Sequence, residues 1–398
     1  MKPGWAMKSI DDLAFVGRGK SRHRPRNEPS LYGGHHPFVQ TADVHAADLT
    51  ITNYSQTYSD KGLEQSKLWE LGTICITNAG ENTGDCAILG VRACFPDSII
   101  GVIADERKSD TVFLKYAIDQ LKPQLRQVTR GATQDNLSLA KLLAFKFPTP
   151  PTETQKRVGA VLGVYGSLID NNRRRMELLE KTARLLYQEW FLRLRFPGHE
   201  HTRTSNGIPE GWTRKPLNEI LPDLREAANP ADLDASTPYI GLEHMPRRSI
   251  TLNEWGRADE VTSTKLRFKT GDILFGKIRP YFHKVGSALT DGVTSSDAIV
   301  LRPAVECFHG FALLTVSSDW FITVVSKTAK EGSKMPRADW NLMEQHQILV
   351  PPHSILLAVQ ETVAPILEQL RTLSFSNHKL RAARDLLLPR LMSGEIAV

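Results

Sequence analysis

The segment that decides the fold is Phe147-Pro148-Thr149-Pro150-Pro151-Thr152-Glu153-Thr154-Gln155, in which a short apolar strand leads into two prolines and then into a long helical stretch. Proline suits the first turn of a helix and breaks a helix interior, so Pro150-Pro151 predicts a helix start. The same arrangement returns as Ile348 followed by Pro351-Pro352, about 200 residues further along the chain. We therefore expect two units that share one design.

Other matches extend this recurrence along the chain, always in the same order. They pair Pro3-Gly4-Trp5 with Glu210-Gly211-Trp212, Pro37-Phe38-Val39 with Pro238-Tyr239-Ile240, Gly72–Ile76 with Gly271–Phe275, Gly131-Ala132-Thr133 with Gly332-Ser333-Lys334, and Gln155 with Gln360. Short β-like runs precede each pair of prolines, interrupted by helical stretches such as Val112–Leu121 and Phe308–Val316. The pattern predicts an α+β fold, a tandem repeat of two globular domains that are each followed by a long helix. The predicted segments are 1–150, 151–197, 198–350 and 351–398.

The composition is that of an ordinary folded protein. The 398 residues are 41% hydrophobic and 24% charged, and the net charge of +6 permits an anionic partner such as nucleic acid. No apolar run reaches the ~20 residues that a membrane helix needs, and no secretory signal opens the chain, so we expect a cytoplasmic protein without a membrane partner. The four cysteines lack zinc-ligand spacing, so no metal site is expected.

Two long helices are predicted, from about Glu153 to Leu194 and from about Ile355 to Met392. Their apolar positions step alternately by four and three residues, which is the heptad spacing of a coiled coil. The positions are Val158, Leu162, Tyr165, Ile169, Asn172, Met176, Leu179, Ala183, Leu186 and Trp190 in the first helix, and Val359, Val363, Ile366, Leu370, Leu373, Asn377, Leu380, Arg384, Leu387 and Leu391 in the second.

An antiparallel coiled coil accounts for both sets of positions at once. In an antiparallel pair the residue numbers of two facing residues add up to a constant. The heptad positions of the two helices pair with the same sum of 549 throughout, as Asn172 does with Asn377. We expect Asn172 and Asn377 to hydrogen-bond and fix the register, and Tyr165 to offer its ring to Arg384. Pro365 predicts a kink or a restart in the second helix. The alternative is two amphipathic helices that pack separately on their own domains.

These motifs resemble one known family, the specificity subunits of type I restriction-modification systems. The resemblance is clearest in Gly131-Ala132-Thr133-Gln134-Asp135-Asn136-Leu137 followed by residues 147–155, and in the duplication of the whole unit. The C-terminal Leu386-Leu387-Leu388-Pro389-Arg390-Leu391-Met392-Ser393-Gly394-Glu395 is similar to the usual ending of that family. The second unit departs from the motif, with Met335-Pro336-Arg337 in place of the Asn136-Leu137 step.

The resemblance implies a non-catalytic subunit that determines the DNA sequence recognised by a larger complex. Each globular domain is expected to recognise one half of a bipartite, asymmetric site in double-stranded DNA, and the helix pair to set the spacer. Two methyltransferase (modification) subunits are expected to dock on the helices, and restriction/translocase subunits to complete the complex. No cofactor is expected on this chain, and S-adenosylmethionine, ATP and Mg are expected only on the partner subunits.

Cations in predicted loops and turns are the candidate DNA contacts, since arginine matches guanine edges and lysine more often binds phosphate. Five cations in nine positions, interrupted by glycine and proline, predict a basic loop near the start of the first domain. The candidates are Arg18, Lys20, Arg22, Arg24 and Arg26 in that loop, the turn residues Thr133 and Gln134, and Arg247, Arg248, Lys277, Arg279, Lys327, Lys334 and Arg337 in the second domain. The run Arg173-Arg174-Arg175 faces solvent, the DNA spacer or a methyltransferase surface.

Enzymatic functions fit the chain poorly. Pro96-Asp97 with Glu106-Arg107-Lys108 has the spacing of a metal-dependent nuclease, but the second unit lacks the matching lysine. Val350-Pro351-Pro352-His353 begins with valine, which cannot hydrogen-bond a target amine as a methyltransferase motif requires, and the chain has no phosphate-binding loop for ATP. The competing hypothesis is a coiled-coil scaffold with two globular heads and no DNA role, which salt-dependent DNA binding would exclude.

Overall fold

The computed structural model describes residues 3–129, 136–329 and 335–398, and the chain packs into two compact units. The first unit consists of Met1–Arg173 and Ser376–Val398, and the second of Arg174–Phe375. The predicted boundaries place the long helices in segments of their own. In the structure the division instead falls inside both helices, because each unit packs a part of each helix into its own core.

The first unit combines a five-stranded and a four-stranded sheet with flanking helices. Its strands are β1 (Ala6–Lys8), β2 (Ala14–Arg18), β3 (Tyr32–Phe38), β4 (Thr50–Ile51), β5 (Gln56–Tyr58), β6 (Leu68–Trp69), β7 (Ile74–Thr77), β8 (Cys86–Leu89), β9 (Ala93–Cys94), β10 (Ile99–Ala104) and β11 (Phe147–Thr149). Its helices are α1 (Ile10–Leu13), α2 (Thr41–Ala46), α3 (Asp60–Glu64), α4 (Thr111–Thr129), α5 (Leu139–Leu143) and the first part of α6 (Thr152–Tyr187).

The larger sheet of the first unit has the order β2-β10-β7-β8-β4, and the smaller sheet has the order β5-β3-β9-β6. Neighbours are antiparallel except β4 with β8 and β3 with β9, which are parallel. Strand β1 pairs with β11, so that Lys8 lies opposite Phe147. The strand before the two prolines therefore pairs with the first strand of the unit. Helix α6 begins directly after this strand pair.

The second unit is built from the same kinds of element. Its strands are β12 (Thr204–Ser205), β13 (Ile208–Pro209), β14 (Thr213–Pro216), β15 (Asp223–Leu224), β16 (Ala227–Ala228), β17 (Pro238–Ile240), β18 (Thr251–Leu252), β19 (Gly256–Arg257), β20 (Lys265–Phe268), β21 (Ile273–Gly276), β22 (Val285–Ala288), β23 (Gly292–Thr294), β24 (Ala298–Leu301) and β25 (Gln347–Val350). Its helices are α7 (Leu217–Ile220), α8 (His309–Val316), α9 (Asp319–Thr328), α10 (Trp340–Met343) and part of α11 (His353–Met392).

The sheets of the second unit have the orders β15-β24-β21-β22-β18 and β16-β20-β23-β17-β19. Strand β18 is parallel to β22 and β17 is parallel to β23, as at the equivalent positions of the first unit. Strand β14 pairs with β25, with Lys215 opposite Ile348, and closes this unit as β1 and β11 close the first. The sheets around β7 and β21 therefore agree in strand order and direction, and both units close in the same way, while the counterpart of the smaller sheet in the second unit has one additional strand, β16.

Each unit has its own hydrophobic core, in which the central strand of the larger sheet packs against helices. Representative buried residues of the first unit are Ile74, Ile76, Phe113, Val158 and Leu162. Those of the second unit are Ile273, Phe275, Phe311, Val359 and Val363. Burial of these side chains accounts for the apolar periodicity of the strands and of the long helices.

The recurring glutamines Gln155 and Gln360 have one structural role. The side-chain oxygen of Gln155 accepts the backbone N–H of Asp110 at 3.2 Å, beside the start of α4. The side-chain oxygen of Gln360 accepts the backbone N–H of Gly310 at 2.8 Å, in the first turn of α8. The first N–H groups of a helix have no partner within it, so each glutamine joins a long helix to a helix of its own unit.

The two long helices extend close to their predicted ends. Helix α6 continues into one π-helical turn at Gln188–Leu192, and α11 runs through Pro365 without a break. Pro365 is exposed, and its neighbours Val363 and Leu370 are buried, so packing on the other face holds the helix and excludes an interruption. Within the described ranges no single helix is long and apolar enough to cross a membrane, and the bent pair Glu306–Val316 and Asp319–Thr328 meets that test only when both are taken together.

Candidate nucleic-acid interface

Three segments of the first unit meet where the central strand β7 ends. The Nδ2 of Asn78 donates a hydrogen bond to the carbonyl of Asp97 at 2.9 Å, just before β10 begins. The backbone N–H of Leu137 donates to the carbonyl of Asn78 at 2.8 Å, and Ala79 forms an isolated β-bridge with Asn136. We call residues 18–28, 78–79, 96–98 and 136–137 the first tip.

The predicted basic loop belongs to the first tip. Arg18 ends β2, and one of its guanidinium nitrogens lies 3.5 Å from the carbonyl of Leu137. The backbone N–H of Lys20 donates to the carbonyl of Phe95 at 3.0 Å, which holds the start of the loop beside β9. The loop therefore presents its cations at the end of the sheet where β7 ends and β10 begins.

The five cations of that loop differ in how they are held. Arg26 forms a two-pronged ion pair with Asp97, at 2.8 and 3.0 Å. Arg24 donates to the carbonyls of Ser21 and His23, both at 2.9 Å, and so stabilises the loop itself. Arg22 is exposed and has no hydrogen bond or ion pair to the described part of the chain, which leaves its guanidinium available to an anion.

The second unit has an equivalent tip at the end of β21. The backbone N–H of Lys277 donates to the carbonyl of Asp297 at 3.0 Å, and the N–H of Ala338 donates to the carbonyl of Lys277 at 2.8 Å. Ile278 forms an isolated β-bridge with Arg337, as Ala79 does with Asn136. We call residues 247, 277–284, 295–297 and 335–338 the second tip.

Aromatic rings organise the cations of the second tip. The guanidinium carbon of Arg247 lies 3.9 Å from the centre of the Phe282 ring, and that of Arg279 lies 5.7 Å from the same centre. Tyr281 is 54% exposed next to them, so that a flat ring is available for stacking. Burial first, and then the charge of Arg247, lower the pKa of Lys284 in this cluster.

The arginines of this cluster are predicted from the sequence, whereas Tyr281, Phe282 and Lys284 are not among the predicted residues. Aromatic residues interleaved with basic ones between Lys277 and Lys284 are the signal that could have identified them, because this combination is typical of surfaces that bind nucleic acids. Arg337 completes the cluster through an ion pair with Asp297 at 3.2 Å.

Other predicted contacts border the second tip or lie outside the described residues. Arg248 pairs with Asp319 at the start of α9, at 2.8 Å, and Lys327 is exposed near the end of the same helix. Thr133, Gln134 and Lys334 lie outside the described residues. In the central run of the first long helix, Arg173 donates to the carbonyl of Ala46, and Arg174 and Arg175 are exposed.

Asn172 and Asn377 are buried against each other within the first unit. The Nδ2 of Asn172 donates to the Oδ1 of Asn377 at 2.9 Å, which is the contact expected from the sum of 549. Arg157 of α6 lies 3.4 Å from the carbonyl of Val398, beyond the end of α11 at Met392, so the two segments run in opposite directions within this unit. Within the second unit, Ser374 donates to the sulfur of Met176 at 3.9 Å.

The prediction that Tyr165 faces Arg384 is corrected by the structure. Arg384 forms ion pairs with Asp48 and Asp385, and its contacts among the described residues include no ring of Tyr165. Burial disfavours the charged guanidinium, but the carboxylate of Asp48 outweighs it and raises the pKa of Arg384. A buried carboxylate attracts a guanidinium more strongly than an aromatic face does, so Asp48 is the main partner of Arg384.

The nuclease-like spacing of the first unit does not form a metal site. Asp97 is paired with Arg26, whereas Lys108 lies 3.5 Å from Asp105 beyond the other end of β10. Among the residues that the structure describes, no group of three or more His, Cys, Asp or Glu side chains could hold a metal ion.

Comparisons with known proteins bear on the whole chain. Residues 2–181 match the family described as the type I restriction modification DNA specificity domain. The type I restriction enzyme MjaIX specificity subunit of Methanocaldococcus jannaschii is 22% identical over 424 residues, which cover 99% of this chain and 94% of that protein. The EcoDI specificity subunit of Escherichia coli is 28% identical over 152 residues, covering 36% of this chain and 34% of that protein.

A solved structure shares the fold. The crystal structure of the type I restriction-modification S subunit from M. genitalium aligns over 98% of both chains, with a TM-score of 0.57 and 15% sequence identity. The domain match, the full-length relative and the shared order of elements agree with one another. The chain is similar along its whole length to a type I restriction enzyme specificity subunit, and residues 2–181 match the DNA specificity domain of such subunits.

Proposed function

We propose that this chain is the non-catalytic, DNA-recognising subunit of its complex, and that each unit recognises one half of a bipartite, asymmetric site in double-stranded DNA. The observation that carries the proposal is the pair of tips, which arise at the same place in two equivalent sheets and carry different cations. Equivalent frames with different side chains suit two half-sites of different sequence. The matching strand orders support a tandem repeat.

The two long helices are proposed to form an antiparallel coiled coil that sets the unread spacer. Support comes from burial of Ile169, Asn172 and Met176 along α6, and of Leu373 and Asn377 along α11, at the predicted heptad positions. A buried asparagine pair specifies register because a shifted register would leave its amides without partners.

An exposed apolar stripe on α6 is proposed to dock the methyltransferase subunits, of which we expect two. The stripe consists of Val161, Val164, Leu168, Leu178 and Leu185, each of which lies one position before a predicted heptad residue. These side chains are between 36% and 59% exposed, which is unusual for a repeated set of large apolar residues along one helix. Restriction/translocase subunits complete the proposed cytoplasmic complex, with S-adenosylmethionine, ATP and Mg bound only by the partner subunits.

Replacing Arg22 with alanine is expected to make DNA binding by the full complex less sensitive to salt. Each phosphate contact that is lost reduces the slope of log K against log salt by about 0.9. The matched control is Arg107→Ala, an exposed cation beyond the opposite end of β10. Titration of a labelled duplex at several salt concentrations measures both slopes. Equal slopes for wild type, Arg22→Ala and Arg107→Ala would remove Arg22 from the interface.

Replacing Asn172 with alanine is expected to lower the free energy of unfolding by about 1–3 kcal/mol, because it leaves the buried amide of Asn377 without its partner. The control is Asn171→Ala, which changes the exposed neighbouring position of the same helix. Denaturant unfolding measures both variants. If the two variants are equally stable, the asparagine pair contributes nothing to the helix pairing.

A further inference from the structure

Each tip contains one carboxylate that is paired with one of its arginines. In the first tip Asp97 holds Arg26, and in the second tip Asp297 holds Arg337. Both aspartates lie in the loop that leads into the equivalent strand, β10 in the first unit and β24 in the second. A carboxylate within a cationic surface weakens the binding of DNA, because it repels the phosphates. Its presence in both tips therefore indicates a role other than binding phosphate.

The two pairs reach the same arrangement through different parts of the chain. Arg26 comes from the loop after β2, whereas Arg337 comes from the segment after α9. The aspartates, in contrast, are anchored to the sheet, since the backbone carbonyl of Asp97 accepts from Asn78 and that of Asp297 accepts from Lys277. The two aspartates therefore occupy equivalent positions beside the two sheets. The arginine that pairs with each aspartate comes from a different segment in each unit.

The pairs are accessible to DNA. The side chains of Arg26 and Asp97 are 50% and 45% exposed, and those of Arg337 and Asp297 are 59% and 31% exposed. Exposed pairs of this kind are weak, so a phosphate or a base edge can compete for the arginine. When the arginine is drawn away, the carboxylate is left without a partner and close to the negative backbone of the DNA.

We propose that Asp97 and Asp297 suppress binding to non-cognate DNA by holding Arg26 and Arg337 in pairs that any duplex has to break. This inference rests on the proposed function. A sequence that offers the freed carboxylate a hydrogen-bond donor, such as the amino group of cytosine, compensates for breaking the pair. A sequence without such a donor leaves the carboxylate facing the phosphates. The two aspartates thus increase the difference in affinity between cognate and non-cognate sites.

The test compares Asp97→Asn and Asp297→Asn, singly and together, in the full chain assembled with its methyltransferase subunits. One probe is a duplex that carries the motif methylated by the wild-type complex in cells, and the other is a duplex of the same length and composition with that motif scrambled. Glu70→Gln and Glu226→Gln are matched controls, because their exposed pairs with Arg92 and Arg267 lie at the opposite ends of the two sheets. Thermal unfolding checks that the isosteric variants fold like the wild type.

Each aspartate variant is expected to bind the scrambled duplex about three- to fivefold more tightly, the range that loss of one exposed ion pair allows. The salt slope on that duplex is expected to steepen by about 0.9 for each freed arginine. Affinity for the cognate duplex is expected to change by less than twofold, and the control variants to behave like wild type on both duplexes.

Two results would overturn the inference. Loss of cognate affinity with no gain on the scrambled duplex would show that the carboxylates contact bases directly and do not restrain the arginines. Equal gains on both duplexes, or gains shared by the controls, would show a general effect of charge. A wild-type complex that binds the two duplexes equally would instead contradict the proposed function itself.

Discussion

Replacing Arg384 with alanine is expected to lower the free energy of unfolding of the first unit by about 3 kcal/mol. The side chains of Arg384 and Asp48 are 13% and 9% exposed, so the substitution leaves a carboxylate buried without its main partner. The carboxylate of Asp170 lies beside Asp48 and accepts hydrogen bonds from the backbone N–H groups of Asp48, Leu49 and Thr50. Burial raises the pKa of Asp170, and the negative charge of Asp48 adds to that increase. Loss of the arginine therefore leaves two carboxylates close together.

Denaturant unfolding of the full chain measures this effect, and Arg390→Ala is the matched control. Arg390 lies on the same helix, but its pair with Glu395 is more than half exposed on both sides. The control is expected to change stability by less than about 0.5 kcal/mol. The double variant Asp48→Asn with Arg384→Ala is expected to recover part of the loss, since it removes a buried carboxylate that would keep only the longer pair with Arg381, at 3.7 Å. Equal stability of the Arg384 and Arg390 variants would contradict the described network.

The second large effect concerns DNA. A variant with Arg247→Gln, Lys277→Gln and Arg337→Gln is expected to bind cognate DNA about a thousandfold or more weakly, since each charge-assisted hydrogen bond contributes about 1.5 kcal/mol or more. The salt slope is expected to fall by up to about 2.7, since each of the three cations that contacts a phosphate and not a base contributes about 0.9. Equilibrium titrations of the assembled complex at several salt concentrations provide both values.

The control for the triple variant keeps the same loss of charge but moves it away from the tip. Arg257→Gln, Arg267→Gln and Lys269→Gln lie on or beside the smaller sheet of the second unit, outside the second tip. This control is expected to retain cognate affinity within about threefold, because distant exposed charges are largely screened at physiological salt. Similar losses in both triple variants would mean that the second tip is not the DNA surface.

Local sequence patterns predicted the frame of this protein well. The predicted segments Gly72–Ile76 and Gly271–Phe275 lie within two residues of β7 and β21, and the long helices begin within about two residues of their predicted starts. The signals used are local: the spacing of apolar residues in strands and heptads, and the two prolines. They work because the spacing of apolar residues reflects which positions the fold buries. The facing of Asn172 and Asn377 followed from the same periodicity.

The departures arise where contacts join distant parts of the chain. Asp48 and Arg384 are separated by 336 positions, and no local pattern connects them. The heptad register therefore predicts the ring of Tyr165 as the partner of Arg384 and gives no indication of Asp48. The tips pose the same difficulty, because Asp97 meets Arg26 and Asp297 meets Arg337 only after the sheets have formed. Basic residues can be counted in a sequence, but the fold decides which of them are already paired.

The most direct test of the account is the methylated motif in cells that express this chain with its methyltransferase subunits and have no other modification activity. We predict a motif of two short halves separated by a fixed number of unread base pairs. The variant Arg18→Gln with Arg22→Gln, in the first tip, is predicted to relax one half of that motif. The variant Lys277→Gln with Arg337→Gln, in the second tip, is predicted to relax the other half. A single contiguous motif, or the loss of both halves in either variant, would contradict the assignment of one half-site to each unit.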